Sequence, residues 1–233
     1  MLKLKKLLKH SIGLLLLSSC SGNWRDVAFK KYNSSVFKIF IETLNGPFKY
    51  IAGGTAFQTV GLSGKQYLIT NAHVCDIMKG LDIKVSNARY GILRTKIIKS
   101  DPEVDLCALE PIKGVEPLSL TVFPILDEAE EIFIIGYPGL RGKAIFFGNF
   151  LTSQTSPLLI SNCYFPGCFG TQPVLQNQFT VSLIGGSSGS PVFNKYGYVV
   201  SIIYSVDPRA LNWSNGISSL HLIDFLNKLD AKK

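Results

Sequence analysis

Gly185-Gly-Ser-Ser-Gly-Ser-Pro-Val-Phe-Asn194 is the stretch on which the fold assignment turns. Ser188 stands between Gly186 and Gly189, with a strand-like apolar run, Phe179–Ile184, before it and another run after it. Glycine admits backbone conformations closed to residues with a Cβ, so two N–H groups can converge on one point at such a bend. A serine hydroxyl beside convergent amides has the parts that acyl transfer requires, a nucleophile and a cradle for an oxyanion. The same composition suits an ordinary glycine-serine loop between strands. A base and an orienting acid elsewhere in the chain decide between the two.

Histidine is scarce, which shortens the search. Only His73 and His221 lie beyond the first ten residues. His73 falls in Tyr67-Leu-Ile-Thr-Asn-Ala-His-Val-Cys75, after a strand-like run and behind a small alanine. His221 borders an apolar stripe, with Asp224 as its nearby carboxylate. Asp105, in Asp101-Pro-Glu-Val-Asp-Leu-Cys-Ala-Leu109, heads an apolar run that would carry its carboxylate inward. There it needs a donor, and a histidine N–H is a suitable one. Asp101, which precedes a proline, reads as a solvated turn residue.

Short β-type runs recur along the chain: Val36–Ile41, Thr55–Thr59, Tyr67–Thr70, Asp82–Val85, Leu93–Ile98, Leu106–Leu109, Glu131–Ile135, Ala144–Phe147 and Tyr198–Ile203. Turn signals separate them, a pattern that predicts an all-β sandwich or barrel. Pro111–Pro124 reads as a connection between two halves. Leu220, Ile223, Leu226 and Leu229, widened by Leu222 and Phe225, predict a short closing helix.

Thr70-Asn-Ala-His73, Asp105-Leu-Cys-Ala-Leu109 and Gly186-Ser-Ser-Gly-Ser-Pro191 occur in the order His, Asp, Ser. Together they resemble the trypsin-like, chymotrypsin-fold serine peptidases, most nearly the bacterial high-temperature-requirement branch. Ser35-Val-Phe-Lys-Ile39 resembles that family's first strand, and Gly53-Gly-Thr-Ala-Phe57 its glycine-rich strand before the histidine. Ile135-Gly-Tyr-Pro-Gly139 resembles the turn opening the second barrel, and Pro191–Ile202 the strand–turn–strand after the nucleophile. The resemblance spans about residues 30–225.

It implies two packed six-stranded antiparallel β-barrels, over about 30–115 and 125–222, to which the spacing adds a short C-terminal helix. After the last matched strand only that helix and Lys232-Lys233 follow, so no peptide-binding module is expected. It implies His73 as general base, Asp105 as its orienting acid, Ser188 as nucleophile, and the N–H groups of Gly186 and Ser188 as oxyanion donors. No cofactor and no metal are called for, and the expected partners are protein or peptide substrates. Ser182, six before the nucleophile, resembles the floor of the primary pocket. With Val181 and Leu183 beside it, small or apolar side chains are expected before the cut. The strand through Ser201 and Ile202 is expected to pair with the substrate backbone.

Some positions depart from the family pattern. Cys107 stands where alanine is common, Ser190 replaces the usual glycine, and Ser201 holds a place often given to glycine. Gly185 and Gly186 also permit a peptide flip, which leaves a latent oxyanion hole open. A catalytically silent binding lipoprotein, or an esterase or self-cleaving enzyme with the same triad, are the competing functional readings.

A hydrophobic content of 46% and a charged content of 17% in 233 residues describe a globular chain. Four of the 24 basic residues (Lys3, Lys5, Lys6, Lys9) lie in the first ten, leaving 20 against 16 acidic residues, or +4. Beyond residue 10 no basic run is interleaved with aromatics, so a nucleic-acid partner is not indicated. Met1–His10 is lysine-rich and Ile12–Leu17 apolar, too short for the roughly 20 residues of a membrane span but suited to an export signal. Leu17-Ser-Ser-Cys20 resembles the lipobox of bacterial lipoproteins. That implies a signal peptide over 1–19, a lipid on Cys20, a tether over 20–29, and anchorage to the membrane of the cell envelope on its periplasmic or extracellular side. An ordinary signal peptide with an incidental cysteine is the alternative.

Disulfides persist outside the cytosol. The Pro-Gly turn in Cys163-Tyr-Phe-Pro-Gly-Cys168 predicts a bridge between those two cysteines. A zinc site competes for them but lacks a second close ligand pair. Cys75 and Cys107 are expected as buried free thiols.

Overall fold

β-branched and aromatic residues crowd the short apolar runs, and the chain pairs them into two antiparallel assemblies. The computed structural model describes residues 29–45, 48–122, 126–158, 172–206 and 212–231. Asn33–Lys233 forms one compact unit, and residues 29–32 before it are helical. Cys20, Cys163 and Cys168, with the lipid and the bridge expected at them, lie outside the described residues.

The first assembly contains β1 (Val36–Asn45), β2 (Phe48–Val60), β3 (Gln66–Thr70), β4 (Lys84–Asn87), β5 (Gly91–Arg94), β6 (Ile97–Asp101) and β7 (Leu106–Leu109). Their order is β5-β4-β1-β2-β3-β7-β6. The single strand expected over Leu93–Ile98 is two strands, β5 and β6, at opposite margins of this sheet. Only Thr95 and Lys96 separate them, a span of at most about 10 Å. The sheet therefore curls until its margins nearly meet. That corner is fastened by Thr95 N to Ile83 O (3.2 Å), Thr95 Oγ1 to Glu110 O (2.9 Å) and Glu110 N to Lys96 O (2.9 Å). In place of the six-stranded barrel expected for this half there is a curled seven-stranded sheet. Phe37, Ile39, Leu68, Val85 and Leu109 fill it, with Val74 and Met78 of helix α1 (Ala72–Met78).

The second assembly closes fully. β8 (Glu131–Gly136), β9 (Ala144–Ser156), β10 (Val174–Phe179), β11 (Pro191–Asn194), β12 (Val199–Val206) and β13 (Ser214–Ser218) form a barrel in the order β10-β13-β12-β11-β8-β9. Closure leaves no strand edge exposed along the paired lengths. Ile132, Ile134, Phe150, Phe179, Val192 and Val200 fill this core. Between the halves, the connection runs beside both. Leu118 bridges to Thr59 of β2, and Leu120 to Val199 of β12.

Helix α2 (Ser219–Asp230) follows β13, with Ser218 Oγ accepting from Leu220 N (3.4 Å) at its start. It buries Leu222, Phe225 and Leu226. Its last residue, Asp230, accepts from Tyr67 Oη (2.7 Å) and Ser63 N (3.4 Å), which ties the helix to the β2–β3 hairpin. This helix therefore spans both assemblies.

Candidate active site

β3 ends at Thr70, and Asn71, in an extended conformation, starts α1, so His73 sits in the first turn of that helix. Asp105 closes a turn just before β7, its N–H donating to Pro102 O (3.3 Å), with φ of 51°. Aspartate is one of the few side chains that enters this left-handed region without large cost. The residue is fully buried. Its Oδ1 accepts from the His73 backbone N–H (2.9 Å), and its Oδ2 lies 2.9 Å from His73 Nδ1. Asn71 Nδ2 donates to the Asp105 carbonyl (3.1 Å). A sealed carboxylate accepts and cannot donate, so it places the imidazole proton on Nδ1 and leaves Nε2 as the free base. The imidazole is 17% exposed, enough for one edge to meet a ligand.

Cys75 and Cys107 flank this pair, and here the expectation of free thiols is overturned. Both are buried, but they form a disulfide with Cα atoms 6.5 Å apart. Thr70 pairs with Cys107 across β3 and β7, which carries Cys107 under the helix that starts two residues later. A signal for it stands in the sequence. Both cysteine and His–Asp positions are separated by 32 residues.

The strand expected over Phe179–Ile184 ends at its first residue, because β10 occupies Val174–Phe179 and the chain then leaves the barrel. Gly148 allows this departure: a Cβ there would lie 2.4 Å from Val181 Cγ2 and 2.7 Å from Thr180 O. The loop that follows has four consecutive carbonyls held. Gly185 O accepts from Gly139 N (2.6 Å), Gly186 O from Thr55 Oγ1 (2.9 Å), Ser187 O from Ser190 N (3.0 Å) and Ser188 O from Thr55 N (2.8 Å). Over residues 186–190 the N–H groups of Ser187, Gly189 and Ser190 are also bonded, to Ile184 O, Ile203 O and Ser187 O. Those of Gly186 and Ser188 have no acceptor among the described residues. In a trans peptide the N–H points opposite to the C=O. With the Gly185 carbonyl turned to Gly139, the Gly186 N–H therefore points away from that turn.

Gly186 (φ 90°) and Gly189 (φ 85°) both adopt left-handed backbone that suits glycine, and both are tightly enclosed. A Cβ on Gly186 would lie 2.6 Å from Tyr137 O, and one on Gly189 would lie 2.0 Å from Thr55 O. Ser190, in place of the usual glycine, fits because its Oγ lies over Gly136, where a Cβ would come within 2.2 Å.

The two halves meet at Gly54 and Thr55 of β2. A Cβ on Gly54 would be 2.8 Å from Ser188 O and 3.1 Å from Val74 Cγ2. The glycine thus lets the Ser188 loop and the His73 helix converge on one strand. Tyr137, at the end of β8, is held by Thr55 Oγ1 accepting from its N–H (3.0 Å) and by its Oη on Ser86 O (3.4 Å). Burial pushes the Tyr137 phenol up to about 12 and Lys143, whose ammonium lies 5.5 Å from the Tyr137 ring, down to about 8.

Not every expected residue joins this cluster. Ser201 and Ile202 are fully buried in the interior strand β12, paired with Val192 and Pro191 of β11 on one side and with Ser218 and Ile217 of β13 on the other. Ser201 Oγ donates to Ile217 O (2.7 Å). A strand with neighbours on both sides has no backbone left for a substrate, so these two are not a pairing edge. Ser182 is exposed on the loop and donates to Asn212 Oδ1 (3.0 Å). His221 is used elsewhere, its Nε2 accepting from Leu175 N (2.8 Å). Thr55 and Gly139 carry no role in the sequence reading, although the Gly53-Gly54 pair before Thr55 marks a close approach.

The model of the trypsin-like peptidase domain family matches residues 54–202. The active form of the Rv3671c protease from M. tuberculosis superposes with a TM-score of 0.69 at 17% identity, covering 88% of this chain and 85% of that one. Its inactive form gives 0.65 at 19%, over 86% and 91%. The serine endoprotease from Yersinia pestis gives 0.67 at 17%, over 89% and 66%. At such identities the likeness is one of fold. None of the curated proteins matches the chain.

Proposed function

The chain belongs to the family of trypsin-like peptidase domains, and from that premise we propose a serine endopeptidase that works through His73, Asp105 and Ser188. The observation that carries the reading is the sealed Asp105 carboxylate on His73 Nδ1, 2.9 Å away. It leaves Nε2 as the base that takes the Ser188 hydroxyl proton. The Ser188 oxygen attacks a peptide carbonyl, the tetrahedral oxyanion sits on the N–H groups of Gly186 and Ser188, and His73 returns the proton to the leaving amine. Water then repeats the cycle on the acyl-enzyme. Asp105 holds the tautomer and stabilises the imidazolium. This chemistry uses no cofactor.

The substrate backbone is proposed to lie further along β12 than the sequence suggests. Ile203 N donates to Ser190 O (2.9 Å) and Ile203 O accepts from Gly189 N (2.8 Å), so the loop covers β12 up to that residue. Past the loop the strand continues as Ser205 and Val206, both half-buried. An extended peptide along this stretch would reach Ser188. Uncharged Ser182 favours small or apolar side chains before the cut, and a peptide library cut mainly after Lys or Arg would contradict that. Export with a lipid on Cys20, and envelope proteins as substrates, complete the proposal. Cys20→Ser should release the protein from membranes, and unchanged fractionation argues against lipidation.

Labelling with a fluorophosphonate tests the central reading. The wild type should label and Ser188→Ala should not. A folded wild type that stays unlabelled overturns it. Casein and small-ester assays then separate peptidase from esterase activity.

A further inference from the structure

Thr55 is fully buried, and a buried threonine hydroxyl needs partners. Here both come from the other half of the molecule. Thr55 Oγ1 donates to Gly186 O (2.9 Å) and accepts from Tyr137 N (3.0 Å), across 131 and 82 residues of sequence. The backbone N–H of the same residue donates to Ser188 O (2.8 Å). Two of the four carbonyls held in the Ser188 loop are thus held by Thr55 directly. A third depends on it at one remove. Tyr137, fixed on the Thr55 hydroxyl, begins the turn whose Gly139 N–H binds Gly185 O (2.6 Å). Thr55 is itself anchored, its carbonyl accepting from Thr70 Oγ1 (2.7 Å) at the end of the strand that leads to His73.

We propose that Thr55 is a positioning residue whose hydroxyl sets the Gly185–Gly186 and Gly186–Ser187 peptides, and through the first of them the acceptor-free N–H group of Gly186, one of the two that would meet the oxyanion. The inference rests on the peptidase reading above. With two glycines in succession the loop has no side-chain barrier to a peptide flip. The hydroxyl supplies the restraint that the glycines lack. It reaches both sides of Gly186, by bonding the Gly186 carbonyl and by anchoring the turn that bonds the Gly185 carbonyl. A valine keeps the shape of threonine but loses both bonds, while a serine keeps both.

The test uses the full-length protein and its Thr55→Val, Thr55→Ser and Thr55→Ala variants, assayed on an activated peptide ester. Thermal melts of each variant check folding. Thr55→Val should lower kcat by about 30- to 300-fold with KM within about threefold, because the N–H pair acts on the transition state and not on the bound ester. A peptide aldehyde, whose tetrahedral adduct needs the same N–H groups, should weaken by a similar factor. Thr55→Ser should return kcat to within about threefold of the wild type. If Thr55→Val does not fold, Thr55→Ala takes its place against serine. A folded valine or alanine variant with near wild-type kcat overturns the proposal, as does a serine variant impaired as much as valine. An inactive wild type would refute the peptidase reading itself, whereas an active wild type beside an equally active valine variant refutes only the role of Thr55.

Discussion

The Cys75–Cys107 disulfide runs alongside the His73–Asp105 hydrogen bond, each cysteine standing two residues after one member of that pair. The covalent link joins α1 to β7, the two elements that must stay in register for the imidazole to meet the carboxylate. Replacing both cysteines with alanine removes a cross-link across 32 residues, worth about 3–4 kcal/mol in a chain-entropy account. The double variant should unfold at markedly lower denaturant, and its kcat should fall before its fold is lost. Denaturant melts and activity on the same samples check this. Equal melting midpoints would contradict it.

Asp105→Asn keeps the size of the side chain but reverses what it asks of the histidine. An amide NH2 facing Nδ1 favours the tautomer with the proton on Nε2, the atom that should act as base. We expect kcat to fall by roughly 10³–10⁴-fold while the melting temperature changes little. A loss under tenfold would remove Asp105 from the mechanism.

Gly54→Val introduces branched carbon where a Cβ alone would lie 2.8 Å from Ser188 O and 3.1 Å from Val74. The Ser188 loop and the His73 helix must then separate. Activity should drop at least 100-fold, with a stability loss of about 1–3 kcal/mol from overpacking. A variant that labels normally with fluorophosphonate would show that the two halves tolerate this separation.

His221 makes a pH-dependent contribution. Burial, aided by Lys228 and opposed by Asp224, lowers its pKa below the ordinary histidine value of about 6.5. Its Nε2 must stay unprotonated to accept from Leu175 N. The unfolded chain therefore takes up the proton first as pH falls. The contribution is complete above about pH 6.5 and declines as pH drops through the folded-state value. His221→Gln, which can accept from the same N–H without titrating, should flatten the stability profile between pH 7 and 5. An unchanged slope would assign the acid sensitivity to other groups.

Much of this architecture is legible in the order of residues, and the failures have physical causes. Period and β-branching place β1, β3 and β7, because the runs Val36–Ile41, Tyr67–Thr70 and Leu106–Leu109 are buried along nearly all of their length. Leu93–Ile98 reads as one strand because nothing local announces that Thr95 and Lys96 turn from one margin of a sheet to the other. Phe179–Ile184 stays apolar after its strand ends, since Val181 and Leu183 still pack on the barrel core. Ser201 is an edge position only by resemblance, and edge or interior is a matter of neighbours, which topology supplies. β13, Ser214-Asn-Gly-Ile-Ser218, has a turn-like sequence and is a strand because β10 and β12 pair with it on either side. The serine, histidine and aspartate segments were legible as motifs, whereas Thr55 was not. Its partners lie 82 and 131 residues away, beyond any local pattern.

The corner at Thr95–Lys96 also orders events in time. In the first sheet β1–β2, β2–β3, β4–β5 and β6–β7 are hairpins between consecutive strands, which form on a scale of about 1–10 μs. Among the described residues only β1–β4 and β3–β7 join strands far apart in the chain, and these must pay loop-closure entropy before they are rewarded. Because β5 and β6 are nearly contiguous, the β4–β5 hairpin arriving at β1 brings β6 and β7 within reach of β3. The second closure is therefore short-range once the first has happened, and the sheet should form in one slow step followed by a fast one. The β3–β7 closure is also what carries Cys107 beneath the helix that holds Cys75, so the disulfide spans the second of these two joins.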